Sequence, residues 1–479
     1  MIFNSLTYAG FLIVVFCLYW FVAKKSFRAQ NAMLLVASYM FYGFWDWRFL
    51  FLLAFSTALD YFTGLKIYNA ASTPARKTWL TISVVVNLGF LCMFKYFNFF
   101  VGSFAGFLKY FDLEPNIPLL NVILPVGISF YTFHGLSYVF DIYNRRIQPT
   151  TNIIDYSLFV SFFPLLVAGP IERATHLLPQ VSRPRVFSSE KASDGLRQIL
   201  WGLFKKIVIA DNCALLVNDT FDNPDGYSSL SLIIGAVFFA FQIYCDFSGY
   251  TDIALGSARL LGFELLRNFN YPYFARDIAE FWRRWHISLT SWFKDYVYIP
   301  LGGNRGAKSK TIRNTIIVFL LSGLWHGANW TFVLWALFHA VLFVPLVIMG
   351  AKRKHAEPIR TMLPHLMDAV NILITFVLVT IGWIIFRAES ASQAWLYFKD
   401  IVAPRSTTSI LASHPEAYAT AWFIIILLLV EWVQKQRLHG LNFVPSRVPQ
   451  IFRFVLYTAI IIFLVWFGGK PEEFIYFQF

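Results

Sequence analysis

Apolar stretches of bilayer-crossing length alternate along this chain with short polar connections rich in Lys and Arg. The runs fall near residues 6–23, 31–45, 50–68, 79–101, 119–143, 153–170, 228–245, 315–350, 369–387, 418–433 and 451–468. A helix needs roughly 20 apolar residues to cross the hydrocarbon core, so the pattern predicts an all-α, polytopic integral membrane protein of about eleven transmembrane helices. The run without Asp, Glu, Lys or Arg from Asn314 to Ala351 is too long for one span. As a single helix it would measure roughly 57 Å, almost twice the hydrocarbon thickness. It is expected to make two passes or to break. Gly323, Gly327 and Asn329 put the break within Ser322–Trp330, with His326 at a mid-membrane discontinuity.

Two further segments depart from the spanning pattern. Arg276–Ile299 mixes Arg276, Asp277, Glu280, Arg283, Arg284, Lys294 and Asp295 with Phe281, Trp282, Trp285, Trp292 and Phe293. It is too charged to face lipid and is expected to lie at the interface or to re-enter among other helices. The segment Arg173–Lys206 reads as a cytosolic loop followed by an amphipathic surface helix, which requires the 153–170 run to re-enter rather than cross.

Composition agrees with a membrane protein: 57% of residues are hydrophobic, 19% aromatic and only 14% charged, far from soluble averages. The net charge of +13 resides in short loops and forms no continuous stripe, so nucleic acid is not an expected partner and membrane lipid is. Lys24–Arg28, Lys66–Lys77 and Arg145–Arg146 share one side if the N-terminus is outside, and the positive-inside rule makes that side the cytosol. The first apolar stretch has its basic residues after it, the reverse of a cleaved signal peptide. Cys17, Cys92, Cys213 and Cys245 have neither metal nor disulfide spacing and read as packing residues. No metal signature, serine elbow or Walker lysine is present, and no internal repeat of the transporter kind is seen.

An ionisable side chain inside an apolar run is costly and marks a candidate site. His326, in Leu324-Trp325-His326-Gly327-Ala328-Asn329, has glycines that permit close backbone approach and indoles that enclose a polar group. Such an imidazole suits a general base that takes a proton from an acceptor hydroxyl. His286, in Trp282-Arg283-Arg284-Trp285-His286, is either an interfacial residue or a second catalytic group that orients substrate or stabilises an oxyanion. Trp325, Asn329, Trp285 and Asp246 are candidate substrate or tunnel residues, Asp246 being either a helix-end carboxylate or an intramembrane acid paired with an arginine or histidine. His339 reads as a hydrogen-bonded packing residue. Arg283, Arg284 and Arg305 are candidates for attracting the phosphates of a donor, beside the topology-setting role that basic loops usually have.

With these residues in view, the chain resembles the membrane-bound O-acyltransferase (MBOAT) family, in particular its bacterial alginate O-acetylation (AlgI-like) branch. The likeness rests on Phe281-Trp282-Arg283-Arg284-Trp285-His286-Ile287-Ser288-Leu289, Tyr296–Arg305, Leu324-Trp325-His326-Gly327, Tyr244–Gly256, Phe163–Pro170 with Glu172, and the closing Phe474-Ile475-Tyr476-Phe477-Gln478-Phe479. It implies a single transmembrane domain, 1–479, with N-terminal spans to 160, a motif-bearing core from 161 to 350 and C-terminal spans from 351. It further implies a ring of helices around a central tunnel, with amphipathic or re-entrant helices, and His326 and His286 as the catalytic pair.

The expected function is transfer of an acyl group, acetyl above all, from a cytosolic thioester across the membrane for O-acetylation of an exported polysaccharide such as alginate. Acetyl-CoA or another acyl thioester is the donor, no bound cofactor is expected, and an SGNH-type acetyltransferase in the periplasm or outside the cell passes the group on. The expected location is the bacterial inner membrane. Competing readings are D-alanyl transfer of the DltB type, a secondary transporter and a scaffold for a soluble acetyltransferase.

Overall fold

The computed structural model describes residues 1–113, 117–120, 123–167, 169–351, 355, 357, 359, 361–443, 448–469 and 472–475. Among these residues helix dominates and no strand forms, so the all-α expectation holds. Six helices are long and apolar enough to cross a membrane: Leu6–Lys25, Phe27–Asn69, Thr73–Lys109, Ser229–Leu260, Trp330–Ile348 and Leu366–Arg387. Ala417–Val433 and Gln450–Trp466 are apolar but shorter. The runs at 31–45 and 50–68 thus join in one helical stretch, which turns at Asp46, where the carboxylate accepts the Arg48 amide. Phe51, Val465 and Trp466 are 71%, 79% and 81% exposed on such helices. Apolar surface of that extent suits lipid and not water.

The chain forms two compact units, Met1–Ser193 with Ser257–Leu266 and Asp194–Gly256 with Arg267–Phe479. In the first, buried polar groups find one another, as hydrocarbon demands. The Asp60 carboxylate accepts Ser83 Oγ at 2.6 Å and Asn87 Nδ2 at 2.8 Å, and Asn31 Nδ2 donates to Asp155 at 2.7 Å. The 153–170 run does not form a spanning helix. Ile153–Ser161 ends at Phe162, Phe163–Leu166 is a single turn, and residues 155–167 are buried throughout. Ala168 of the Phe163–Pro170 motif, and Tyr476–Phe479 of the closing motif, lie outside the described residues.

The second unit is organised by a helical hairpin. Lys308–His326 and Trp330–Ile348 run antiparallel, with Lys308 Nζ bonded to the Ile348 carbonyl at their open end. Each arm has 19 residues, about 28.5 Å of helix, but the first opens with Lys308, Lys310 and Arg313, and only the second is long and apolar enough to cross a membrane. The charge-free run therefore breaks where its glycines are, and the break is the tip of a hairpin. Leu366–Arg387 packs beside the second arm.

Two expectations need correction here. Lys205 and Lys206, placed by their sequence context on a surface helix, are buried. Their cost of burial is offset by carboxylates: Lys205 meets Asp252 at 2.6 Å, and Lys206 meets Asp211 at 2.6 Å and Asp246 at 2.8 Å. Of the cysteines, Cys213 and Cys245 are packed inside, whereas Cys17 and Cys92 are exposed on apolar helices.

Candidate active site

His326 is the last residue of its helix, at the hairpin tip. The tip is tight because both glycines lie where a side chain would not fit. A Cβ on Gly323 would overlap the Phe332 carbonyl oxygen and Ala336, and one on Gly327 would overlap the Phe332 ring. Asn329 closes the turn: its Oδ1 accepts the Thr331 amide at 3.1 Å and caps the second arm, and its Nδ2 donates to the Glu389 carbonyl at 2.8 Å. Asn329 thus fastens the loop that carries His326. Trp330, 56% exposed beside it, is the kind of residue that sits at a membrane–water boundary. The tip is at the opposite end of the hairpin from the basic Gly302–Arg313 segment.

His286 lies between the short helices Ile278–Arg284 and Ile287–Phe293 with φ of +42°, a left-handed conformation that costs a non-glycine residue on the order of 1 kcal/mol. The segment 268–271 holds it there. The Asn268 carbonyl accepts the Ile287 amide at 2.8 Å, Ser288 Oγ meets Asn268 Oδ1 at 2.5 Å, and the Asn270 amide donates to the Arg284 carbonyl at 2.9 Å. Three of the charges expected to keep this segment out of lipid pair with one another, whereas Arg283 and Lys294 are exposed. Glu280 accepts Arg276 at 3.0 Å and Arg284 at 2.7 Å, and it is 2% exposed.

The two imidazoles face each other with ring centroids 6.3 Å apart. His286 is 1% and His326 3% exposed. Their walls are aromatic. Trp325 stands edge-on to both, at 5.6 Å from His286 and 5.0 Å from His326. Phe247 closes on His286 at 4.8 Å, and Trp335 and Phe386 on His326 at 5.1 and 5.5 Å. The two imidazoles thus meet edge to face inside an apolar, water-poor enclosure.

The remaining expected residues divide. Trp285 is buried next to His286 in sequence, but its ring packs on Phe281, Phe269 and Trp383 at 5.6, 5.0 and 4.8 Å. Asp246 is buried in the middle of Ser229–Leu260, and its partner is Lys206, neither an arginine nor a histidine. Arg284 is committed to Glu280, whereas Arg283 and Arg305 are exposed. His339 is buried among Trp282 and Trp335 at 5.1 and 5.2 Å, and neither of its ring nitrogens has a hydrogen-bond partner among the described residues, unlike the bonded packing residue expected. Among the described residues no three His, Cys, Asp or Glu side chains converge as metal ligands would.

Sequence reasoning missed Phe247, Trp335 and Phe386, the rings that complete the enclosure. It also missed a polar cavity of about 30 Å³ lined by Lys205, Ser248, Asp252, Asn268 and Glu431 among others. Glu431 carried a legible signal, as a carboxylate inside the 418–433 apolar run; it accepts Tyr244 Oη at 2.8 Å.

Two enclosed histidines on motif-bearing turns of a helical membrane protein fit the class of membrane acyl-transfer enzymes, and similarity to known proteins bears on that class directly. Residues 143–386 match the sequence model of MBOAT, the membrane-bound O-acyltransferase family, and the chain belongs to that family. It is 40% identical over 402 residues to the Pseudomonas aeruginosa protein named "Probable alginate O-acetylase AlgI", covering 83% of this chain and 74% of that one. It is 35% identical over 395 residues to the Helicobacter pylori peptidoglycan O-acetyltransferase, covering 77% and 73%. Likeness to the Bacillus subtilis teichoic acid D-alanyltransferase is 29% over 244 residues, covering 48% and 60%. The protein is therefore a membrane O-acyltransferase.

Proposed function

We propose that this O-acyltransferase moves an acetyl group from a cytosolic thioester toward O-acetylation of an exported polysaccharide such as alginate, with His326 as general base and His286 as the polarising group. The observation that carries the reading is the facing of two buried imidazoles, 6.3 Å apart in an aromatic enclosure. His326 Nε2 or Nδ1 takes the proton of an acceptor hydroxyl as its oxygen attacks the acetyl carbonyl. His286 stabilises the charge that develops on the carbonyl oxygen. The C–S bond breaks, the thiolate leaves, and the proton on His326 passes to sulfur, so the histidine is regenerated.

The hairpin gives the reaction a direction. Exposed Arg305, in the basic segment at its open end, together with exposed Arg283, favours a phosphate-bearing donor such as acetyl-CoA on that side. His326 and interfacial Trp330 at the tip favour an acceptor on the other. In this reading the chain acts as one transferase domain, 1–479, with a ring of about eleven helices around a tunnel. It lies in the bacterial inner membrane with its N-terminus outside, and an SGNH-type acetyltransferase carries the acetyl group on to the polysaccharide. The greater similarity to O-acetylases than to the D-alanyltransferase supports acetyl over D-alanyl.

The test is the O-acetyl content of exported polysaccharides in a deletion strain complemented with wild type or His326→Ala, at matched membrane levels. Wild type alone should restore the ester. Equal restoration by both would remove His326 from catalysis, and transfer of labelled D-alanine in place of acetyl would replace the donor class.

A further inference from the structure

The segment Glu472–Ile475 ends in Phe474 and Ile475, the first two residues of the motif that closes the sequence, and nothing in acyl transfer itself calls for it. It is nonetheless built into the interior of the second unit. Phe474 is 0% and Ile475 3% exposed. The Ile475 amide donates to Asp246 Oδ2 at 2.7 Å, and the Glu472 carbonyl accepts Lys206 Nζ at 3.0 Å. Lys206 in turn bridges Asp246 at 2.8 Å and Asp211 at 2.6 Å. A buried lysine and a buried aspartate are thus both spent on one short piece of backbone, an expensive arrangement for a segment with no other task.

What the segment grips is the face of Ser229–Leu260 that supports His286. The Phe474 ring lies 4.4 Å from Tyr250 and 6.0 Å from Phe247. Phe247, the residue after Asp246, stands edge-on to His286 at 4.8 Å. His286 holds a left-handed backbone conformation that persists only under external support. The hydrogen bonds from 268–271 restrain its backbone; Phe247 restrains its ring.

We infer that Phe474 is a positioning residue for catalysis, acting through Phe247 to hold the His286 imidazole toward His326, with the Asp246–Lys206 pair locking the segment in register. The inference rests on the proposed role of His286 and adds a second layer to it. Reacting groups displaced by even 1 Å lose much of their rate, so a ring that sets an imidazole's angle has a kinetic signature separate from its share of stability.

The experiment follows acetyl-ester formation on exported polysaccharide in the deletion strain, expressed per membrane-inserted, folded copy. Phe474→Ala should lower the rate about tenfold, and Phe474→Leu, which keeps apolar burial, should recover to within about threefold of wild type. In a Phe247→Ala background, Phe474→Ala should cost nothing further, the non-additivity expected of residues acting in series. A residue that only stabilises the fold would change the number of copies and leave the rate per copy untouched. Wild-type rates per copy in both Phe474 variants, or losses that multiply in the double variant, would overturn the inference. If Phe474→Ala fails to insert, Phe474→Leu is measured in the wild-type and Phe247→Ala backgrounds: a loss per copy of about two- to threefold that vanishes in the second background supports the inference, and a wild-type rate in the first or an equal loss in both overturns it. His326→Ala runs alongside: its inactivity with silent Phe474 variants refutes the positioning role alone, whereas an active His326→Ala removes the proposed mechanism on which that role rests.

Discussion

Each of the two units buries a histidine completely, and the surroundings differ in kind. In the unit Met1–Ser193 with Ser257–Leu266, His134 is 0% exposed. Its Nε2 accepts the Glu172 amide at 3.1 Å, and Nδ1 therefore carries the proton and faces the Val160 carbonyl at 3.4 Å. Glu172 continues the chain, with His176 Nδ1 on Oε2 at 2.8 Å and the Leu266 amide on Oε1 at 2.6 Å. In the unit Asp194–Gly256 with Arg267–Phe479, His286 and His326 are instead walled by Phe247, Trp325, Trp335 and Phe386. One imidazole is fixed in one tautomer by backbone groups on both sides. The others occupy ring-lined space across from each other. A histidine whose nitrogens are bound to backbone stabilises the fold, and a pair of histidines enclosed by aromatic rings is a candidate for chemistry.

That contrast can be broken most strongly at the hairpin tip. His326→Ala should lower acyl transfer by about 10³-fold, and His286→Ala by about 10²-fold, each at near-normal folded level in the membrane. Radiolabelled acetyl incorporation per folded copy checks both. His134→Ala should do the reverse. Leaving the Glu172 amide without its acceptor and opening a cavity should cost about 2–4 kcal/mol of stability, seen as a lower unfolding temperature in detergent, with transfer per folded copy unchanged.

Gly327→Ala sharpens the comparison by moving His326 without deleting it. The added methyl needs the place of the Phe332 ring, so transfer should fall about tenfold while the tip remains folded; an unaltered rate would mean that the tip geometry is not critical.

The smallest effect concerns His176, whose pKa is raised above its ordinary 6.5 chiefly by the hydrogen bond to Glu172, with burial opposing. Stability from a raised pKa is fully present below the unfolded-state value and is lost as pH rises through the folded-state value. The stability that His176→Gln loses relative to wild type should therefore shrink as pH rises from below the ordinary value of 6.5 through the raised one. Thermal unfolding across that range measures it, and a gap that widened with pH would reverse the assigned sign.

How much of this was legible in the chain follows from what a membrane forbids. The charge-free run Asn314–Ala351 announced a break, and glycines at 323 and 327 located it, because a side chain at either position would overlap Phe332. The excess of charge in Arg276–Ile299 likewise announced a segment that does not span, and both motif histidines emerged from these two irregularities. Partners distant in sequence were not legible. Lys206 next to Lys205 looks like a cytosolic pair until Asp211, Asp246 and the Glu472 carbonyl are brought to it. Arg284 is a different case: its partner Glu280 lies four residues earlier on the same helix, a pairing the sequence did offer. His134 attracted no notice in its run, since its bonding to Glu172 needs a fold to become visible. His326 was expected at a break within its run, and it lies at the tip of the hairpin between the two arms.

The most direct measurement sets His326→Ala and His134→Ala side by side, with acetyl transfer and folded amount determined on the same membranes. The expected result is a fully populated but inactive His326→Ala and a depleted His134→Ala of normal activity per copy. An active His326→Ala, or a His134→Ala that is abundant and inactive, would contradict the division of the two histidines into chemistry and support.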